Sequence, residues 1–189
     1  MKYIPFQTDF YSYIIPSNKE YLLNLCENSP KVKNQTFLWG SKSVSEKIRI
    51  NPNGFCDALK PAINEFFEEL GATAPKINVH EVWKNIYKKG YHQELHYHPG
   101  CDLSCVIFLD DYKEGQSKFY FSNRHSCEIT SVWEKYVNID SWYMYPERGG
   151  VIFFPSHMLH GVTPHNLSRE RKTISINISF DWHSSEPHI

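Results

Sequence analysis

Gly90-Tyr91-His92-Gln93-Glu94-Leu95-His96-Tyr97-His98-Pro99-Gly100 is the stretch on which the reading of this chain turns. Gly90 and Pro99-Gly100 punctuate its ends, so residues 91–98 read as one short strand. Side chains alternate faces along a strand. His92, Glu94, His96 and His98 then share one face, while Tyr91, Leu95 and Tyr97 share the other. Four polar, metal-competent groups in a row are costly to bury without partners. A bound metal gives two or three of them a purpose, because an HxH pair places two imidazoles on one ion. The plainer reading is a solvated strand face carrying three histidines by chance. HxH alone does not separate the two readings. HxH closed by Pro-Gly and matched to a distant third histidine weighs toward the metal.

Working outward, that third histidine lies in the stretch from Gly150 to Pro164. The run Val151-Ile152-Phe153-Phe154 reads as a buried strand that enters Pro155 and ends at a short bend carrying His157 and His160. Gly161 follows His160 and permits a close approach or an unusual dihedral. His157 is the rival ligand, or an ordinary surface histidine. After Pro75, strand-like runs dominate: 77–88, 91–98, 103–110, 116–122, 126–132, 140–145, 150–155 and 172–181. Turn residues separate them, with no βαβ rhythm and no internal repeat. Such a series predicts a sandwich or barrel.

The first half differs. Residues 1–16 read as an extended entry closed by Pro16. Ser17 followed by Glu20 is a capping-box pattern for a helix over 17–28, which Pro30 stops. Residues 30–54 are polar and turn-rich and read as a long loop around the core. Leu59, Ile63, Phe66, Phe67 and Leu70 recur at helical spacing, with Gly71 as the C-cap. The expected organisation is an N-terminal helical and loop portion over 1–76 that packs on a β core over 77–189, together one compact domain.

Composition narrows the function classes. Hydrophobic residues make up 41% of the 189, enough for a proper core and too many for a disordered chain. Lysine plus arginine is 20 against 21 for aspartate plus glutamate, so no broad electrostatic attraction to nucleic acid or membrane is expected. Five cysteines form no CxxC pair, and their odd number argues against a full disulfide framework. Cys101 and Cys105 form only a weak CxxxC metal signal. Reduced thiols fit a cytoplasmic protein. The start, MKYIPFQTDFYSY, lacks the apolar core of a signal peptide, and no apolar run approaches the ~18 residues of a spanning helix.

With these residues in view, the chain resembles the iron(II)- and 2-oxoglutarate-dependent dioxygenase superfamily, nearest to a small bacterial and phage-type subgroup of oxygenases. The resemblance runs from Trp83-Lys84-Asn85-Ile86-Tyr87 and Gly90 through His96-Tyr97-His98-Pro99, Asp102-Leu103-Ser104 and Val106-Ile107-Phe108-Leu109. It resumes at Tyr145-Pro146, Gly150, Phe154-Pro155-Ser156, His160-Gly161-Val162 and Pro164, and ends at Arg171, Ser175 and Asn177. It covers about half of the chain, and the order of motifs is more specific than any one of them.

The resemblance implies a mainly β fold with N-terminal helices, a double-stranded β-helix or jelly roll that also looks cupin-like. It implies iron(II) held at the open end by His96, His98 and His160. The superfamily's usual first motif is His-x-Asp or His-x-Glu, so His98 stands where a carboxylate normally sits. Two histidines and one carboxylate are the usual facial set. The reserve ligands are Asp102, Glu94 and His157. Arg171 falls near the arginine that pairs with the far carboxylate of 2-oxoglutarate, and Thr173 would add a hydroxyl there. Asn85 and Tyr87 are further candidates for the cosubstrate pocket, and Trp83, Tyr91 and Asn177 for the substrate pocket.

The implied activity is hydroxylation of a small molecule or an amino-acid or peptide side chain, with 2-oxoglutarate and O2 consumed and succinate and CO2 released. Two alternatives stay open: a cupin-type metal enzyme that does not use 2-oxoglutarate, and a non-enzymatic β-helix module. Segments 30–54 and 111–141, with Trp39, Trp133, Tyr136 and Trp142, are the expected pocket walls. Those aromatics would suit a flat or partly apolar group. They would equally suit a homodimer contact.

Overall fold

The patterning of the chain becomes a layered β structure in a computed structural model, which describes residues 9–38, 46–123 and 141–181. In chain order the elements are β1 (Ser12–Ile14), α1 (Lys19–Asn28), β2 (Lys31–Leu38), β3 (Glu46–Ile50), α2 (Phe55–Glu69), β4 (Ile77–Tyr87), β5 (Gln93–His96), β6 (Leu103–Phe108), β7 (Phe119–Ser122), β8 (Ser141–Tyr143), β9 (Val151–Pro155), β10 (His160–Val162) and β11 (Arg171–Phe180). The large sheet has the order β1-β9-β6-β11-β4-β3-β2, and the small sheet β5-β10-β7-β8. Neighbouring strands are antiparallel. Two sheets stacked in this way, with helices outside one of them, form the expected double-stranded β-helix.

Alternation along the central strands sets the layers. On β6, Leu103, Cys105 and Ile107 pack under the helices, while Val106 and Phe108 pack between the sheets. On β9, Val151 and Phe153 take the helix side, and Ile152 and Phe154 the inner side. On β11, Ile174, Ile176 and Ile178 lie under the helices. Arg171, Thr173, Ser175 and Asn177 therefore all point inward. The core strands are apolar on the helix side and carry a polar row between the sheets, and that row builds the site.

The helices form where the periodicity places them, with one difference at a cap. Phe55, Ala58, Leu59, Ala62, Ile63 and Phe66 of α2 are buried against Leu22, Leu23 and Cys26 of α1 and the sheet. The predicted Ser17 capping box does not form. Asn18 stands at the N-cap without a side-chain cap bond, and its amide donates instead to the Ala58 carbonyl at 2.9 Å, tying α1 to α2. Gly71 does close α2, with φ +70° and its N–H donating to the Glu68 carbonyl.

The segment read as a loop over 30–54 is the main correction. It supplies β2 and β3, which extend the large sheet beyond β4. The reason is the short alternation Lys47-Ile48-Arg49-Ile50: Ile48 and Ile50 enter the helix-side core, and Lys47 turns to the inner face. Charged residues on one face masked a period-two strand. β1 likewise pairs with β9, so the first 76 residues contribute strands to the core sheet as well as helices. The predicted strand 126–132 lies outside the described residues, as do Trp39, Cys127, Trp133 and Tyr136. Among the described residues no helix is long and apolar enough to cross a membrane.

Candidate metal centre

β5 and β10 are hydrogen-bonded neighbours, and their register brings His96 directly opposite His160. His98 follows β5 and is anchored by its N–H to the Ser156 carbonyl at 2.9 Å. One potential ligand atom from each of His96, His98 and His160 lies within 4.8 Å of the other two, close enough to share one ion. Ring centroids are separated by 4.3 Å (His96–His160), 5.1 Å (His98–His160) and 5.3 Å (His96–His98). This is the only such cluster of histidine, cysteine and acidic side chains found among the described residues.

Hydrogen bonds to the far ring nitrogens fix how these rings present themselves. His96 Nδ1 lies 2.7 Å from the Glu94 carbonyl, His160 Nδ1 2.9 Å from the Met158 carbonyl, and His98 Nδ1 2.6 Å from Asn177 Oδ1. Each partner is an oxygen that only accepts, so each Nδ1 carries the proton and each Nε2 the lone pair. Outer bonds of this kind orient ligating histidines. Burial keeps the rings neutral, which is the ligand form. It pushes His96 down to about 4, His98 below the usual imidazole range, and His160 well below it. Mutual repulsion adds to this at His96 and His160.

The reserve ligands go elsewhere. On β10 the step from His160 to Val162 spans two residues, while the paired step on β5, from His96 to Gln93, spans three. This bulge inverts the alternation. Gln93 is therefore buried and donates to Asn85 Oδ1 at 3.3 Å, while Glu94 is exposed. The expectation that His92, Glu94, His96 and His98 share one face is corrected on that ground. Asp102 is exposed, and its carboxylate accepts the Phe180 N–H at 2.8 Å, holding the end of β11. His157 faces outward and lies 3.3 Å from the Asp9 carboxylate.

Further in, the inner faces of β4 and β11 form a polar ladder. Ser175 pairs with Trp83, Thr173 with Asn85, and Arg171 with Tyr87. Asn85 Nδ2 donates to Ser175 Oγ at 2.9 Å and to Thr173 Oγ1 at 3.3 Å, and Tyr87 lines the same pocket. Burial pushes the Tyr87 phenol up to about 12, so it stays protonated. Arg171 is 3% exposed. Its Nη1 donates to Ser117 Oγ at 3.3 Å, its guanidinium lies over the Tyr87 and Phe108 rings, and its Nη2 has no acceptor among the described residues. A buried guanidinium nitrogen without a partner is costly. The same pocket is lined by the three histidines, Trp83, Tyr87, Gln93, Thr173 and Arg171.

Trp83 packs its ring against His98 at 5.7 Å, and Asn177 acts through His98. Tyr91 is half-buried against the inter-sheet core and is not among the pocket-lining residues. Trp142 is exposed on β8, where its indole donates to Tyr11 Oη at 2.8 Å, away from the pocket. Cys101 and Cys105 are free thiols outside the histidine cluster. Sequence reasoning missed Lys47, Gln93, Ser117 and His165. The 47–50 alternation could have flagged Lys47. His165 is buried, with Nδ1 accepting the Ser117 N–H and Nε2 donating to the Arg169 carbonyl, and thereby positions the partner of Arg171.

Fold and site together define the class: a double-stranded β-helix with a three-histidine cluster beside a buried arginine, fitted to a divalent metal and a dicarboxylate. Comparison agrees. The family model described as "Putative 2OG-Fe(II) oxygenase" matches residues 81–177, just over half of the chain. The chain belongs to this family, and is an enzyme dependent on iron(II) and 2-oxoglutarate. Solved structures share the fold. The carbocyclase SnoK from nogalamycin biosynthesis aligns over 90% of this chain and 79% of its own, with TM-score 0.63 and 15% identity. HygX from Streptomyces hygroscopicus, solved with nickel and 2-oxoglutarate, aligns over 93% and 84%, with TM-score 0.59 and 11% identity. The viral collagen prolyl hydroxylase of Paramecium Bursaria Chlorella virus-1 aligns over 89% and 95%, with TM-score 0.54 and 17% identity. No curated protein matches the sequence itself.

Proposed function

We propose that this chain is a dioxygenase that hydroxylates a small molecule or an amino-acid or peptide side chain, with His96, His98 and His160 holding iron(II) and Arg171 holding 2-oxoglutarate. The observation that carries the reading is one pocket containing three neutral imidazoles, their Nε2 lone pairs set by outer bonds, and a buried guanidinium whose Nη2 lacks an acceptor among the described residues.

Bound iron(II) with 2-oxoglutarate supplies the oxidising chemistry: O2 is divided between the substrate and succinate, and CO2 is lost. The protein's own share is binding and orientation. His96 and His160 approach from paired strands, and His98 is fixed by Asn177. Arg171 offers a planar fork suited to a carboxylate, which sets direction as well as charge. The Tyr87 and Phe108 rings over the guanidinium keep water from it and strengthen that contact. The Asn85 amide, bonded to the Thr173 and Ser175 hydroxyls, holds these polar groups in place along the pocket floor.

The test is anaerobic titration of the protein with iron(II) and then 2-oxoglutarate. A weak visible charge-transfer band is expected as the oxo acid chelates the metal. Admission of O2 should then give succinate even without substrate. Metal binding without a band would favour a cupin-type enzyme that does not use 2-oxoglutarate. Neither band nor succinate would favour a non-enzymatic module.

A further inference from the structure

Along the polar ladder of β4 and β11 the middle rungs satisfy one another, and the end rungs do not. In the middle, Gln93 donates to Asn85 Oδ1, and Asn85 donates to the Thr173 and Ser175 hydroxyls. At one end Arg171, opposite Tyr87, keeps Nη2 without an acceptor among the described residues. At the other end stands Trp83, opposite Ser175 and 7% exposed. Its indole Nε1–H is buried and likewise has no acceptor among the described residues. Both side chains line the pocket of the three histidines. The remaining buried atom of this kind, Asn18 Oδ1, is an acceptor at the start of α1, outside the pocket.

A buried N–H left without an acceptor is costly. Two of them at the ends of one pocket call for a ligand that accepts at both ends and needs no donor from the floor between. A dicarboxylate has that character. Trp83 and Tyr87 lie four residues apart on β4, about 13 Å of strand. This is the scale of a five-carbon diacid with a hydrogen bond of about 3 Å at each end. The Trp83 end is the metal end, because its ring packs on the His98 ring at 5.7 Å. Lys47 Nζ lies over the same indole, 4.9 Å from the ring centroid, and so meets its face and leaves the in-plane N–H alone.

We propose that Trp83 binds the cosubstrate: its indole N–H donates to the C1 carboxylate of 2-oxoglutarate, beside the metal, while Arg171 receives the far carboxylate. This rests on the assignment of iron to the three histidines and of 2-oxoglutarate to Arg171. It moves Trp83 from the wall of the substrate pocket to the cosubstrate. It also divides recognition in two, with Trp83 reading the oxo-acid end and Arg171 the second acid group.

Two oxo acids test it: 2-oxoglutarate, and 2-oxovalerate, which has the same chain without the second carboxylate. Each is titrated into the anaerobic iron(II) protein, the charge-transfer band giving the midpoint, in the unaltered chain, Trp83→Phe and Arg171→Ala. Trp83→Phe keeps a ring against His98 and removes only the donor. It should raise both midpoints roughly tenfold, the scale of one hydrogen bond to a charged group. Iron(II) affinity should stay within about threefold. Arg171→Ala should raise the midpoint of 2-oxoglutarate alone. In zinc-loaded, nitrogen-15-labelled protein the Trp83 indole N–H resonance, identified by its loss in Trp83→Phe, should move downfield with either acid. The proposal is overturned if Trp83→Phe binds both acids as before, if its loss is confined to 2-oxoglutarate, if iron(II) binding falls in step, or if the indole resonance does not move. Absence of the band in the unaltered protein would instead sink the cosubstrate assignment, and this proposal with it.

Discussion

Each side chain of the candidate centre is set by a bond one step away. Arg171 makes the sharpest residue-level case. Among the described residues its Nη2 lacks an acceptor, and Ser117 holds only Nη1. Arg171→Ala should weaken 2-oxoglutarate binding by roughly a hundredfold, since it removes a bidentate charged contact. Iron(II) binding should stay within about threefold. Parallel titrations of metal and oxo acid read both, and equal loss of the two would count against the assignment. His98 invites the opposite experiment. His98→Asp places the usual carboxylate in a pocket whose described lining has two buried cations and no acid. Asn177 can turn its amide to donate rather than accept. Iron(II) affinity, measured by competition with a chelator, should rise. A fall would mean that the His98–Asn177 geometry matters more than charge.

At the scale of elements, one extra residue decides which side chains reach the pocket. The bulge in β5 places Gln93 inside and Glu94 outside, while keeping His96 opposite His160. β10 fits between β5 and β7 because Gly161 has no Cβ. A methyl there would lie 3.0 Å from Tyr120 Oη and 3.1 Å from the Gln93 carbonyl. Close approach, and no unusual dihedral, is thus what this glycine supplies. Gly161→Ala should cost about 1–3 kcal/mol, as overpacking does, and should weaken metal binding by pushing β10 from β5. Urea unfolding with metal titration checks both. Unchanged stability with lost metal affinity would show that the strain falls on His160 alone.

For the whole molecule, the buried neutral bases link folding to pH. His96 titrates near 4 in the folded chain against 6.5 unfolded, and His98 and His160 are lowered too. As pH falls below 6.5 the unfolded chain takes up protons that the folded one refuses, so stability drops progressively toward pH 4. Lys47, lowered to about 7 by burial, acts in the same direction higher up, adding stability as pH rises from 7 toward 10.5. The metal-free protein's urea midpoint should therefore climb across both windows, and Lys47→Met should flatten the upper one. Much of this architecture was legible beforehand. Period-two runs after Pro75 carry the β core, helical spacing over 55–70 carries α2, and HxH with a distant histidine carries the cluster. Those signals are local: a side chain's face follows from its neighbours two or four residues away. Only the tertiary structure excluded Glu94 through a bulge, gave the Asp102 carboxylate to the Phe180 N–H, and turned a polar stretch into two strands that bring Lys47 beside Trp83. Register between strands distant in sequence depends on pairing across the sheet, and no window along one strand contains it.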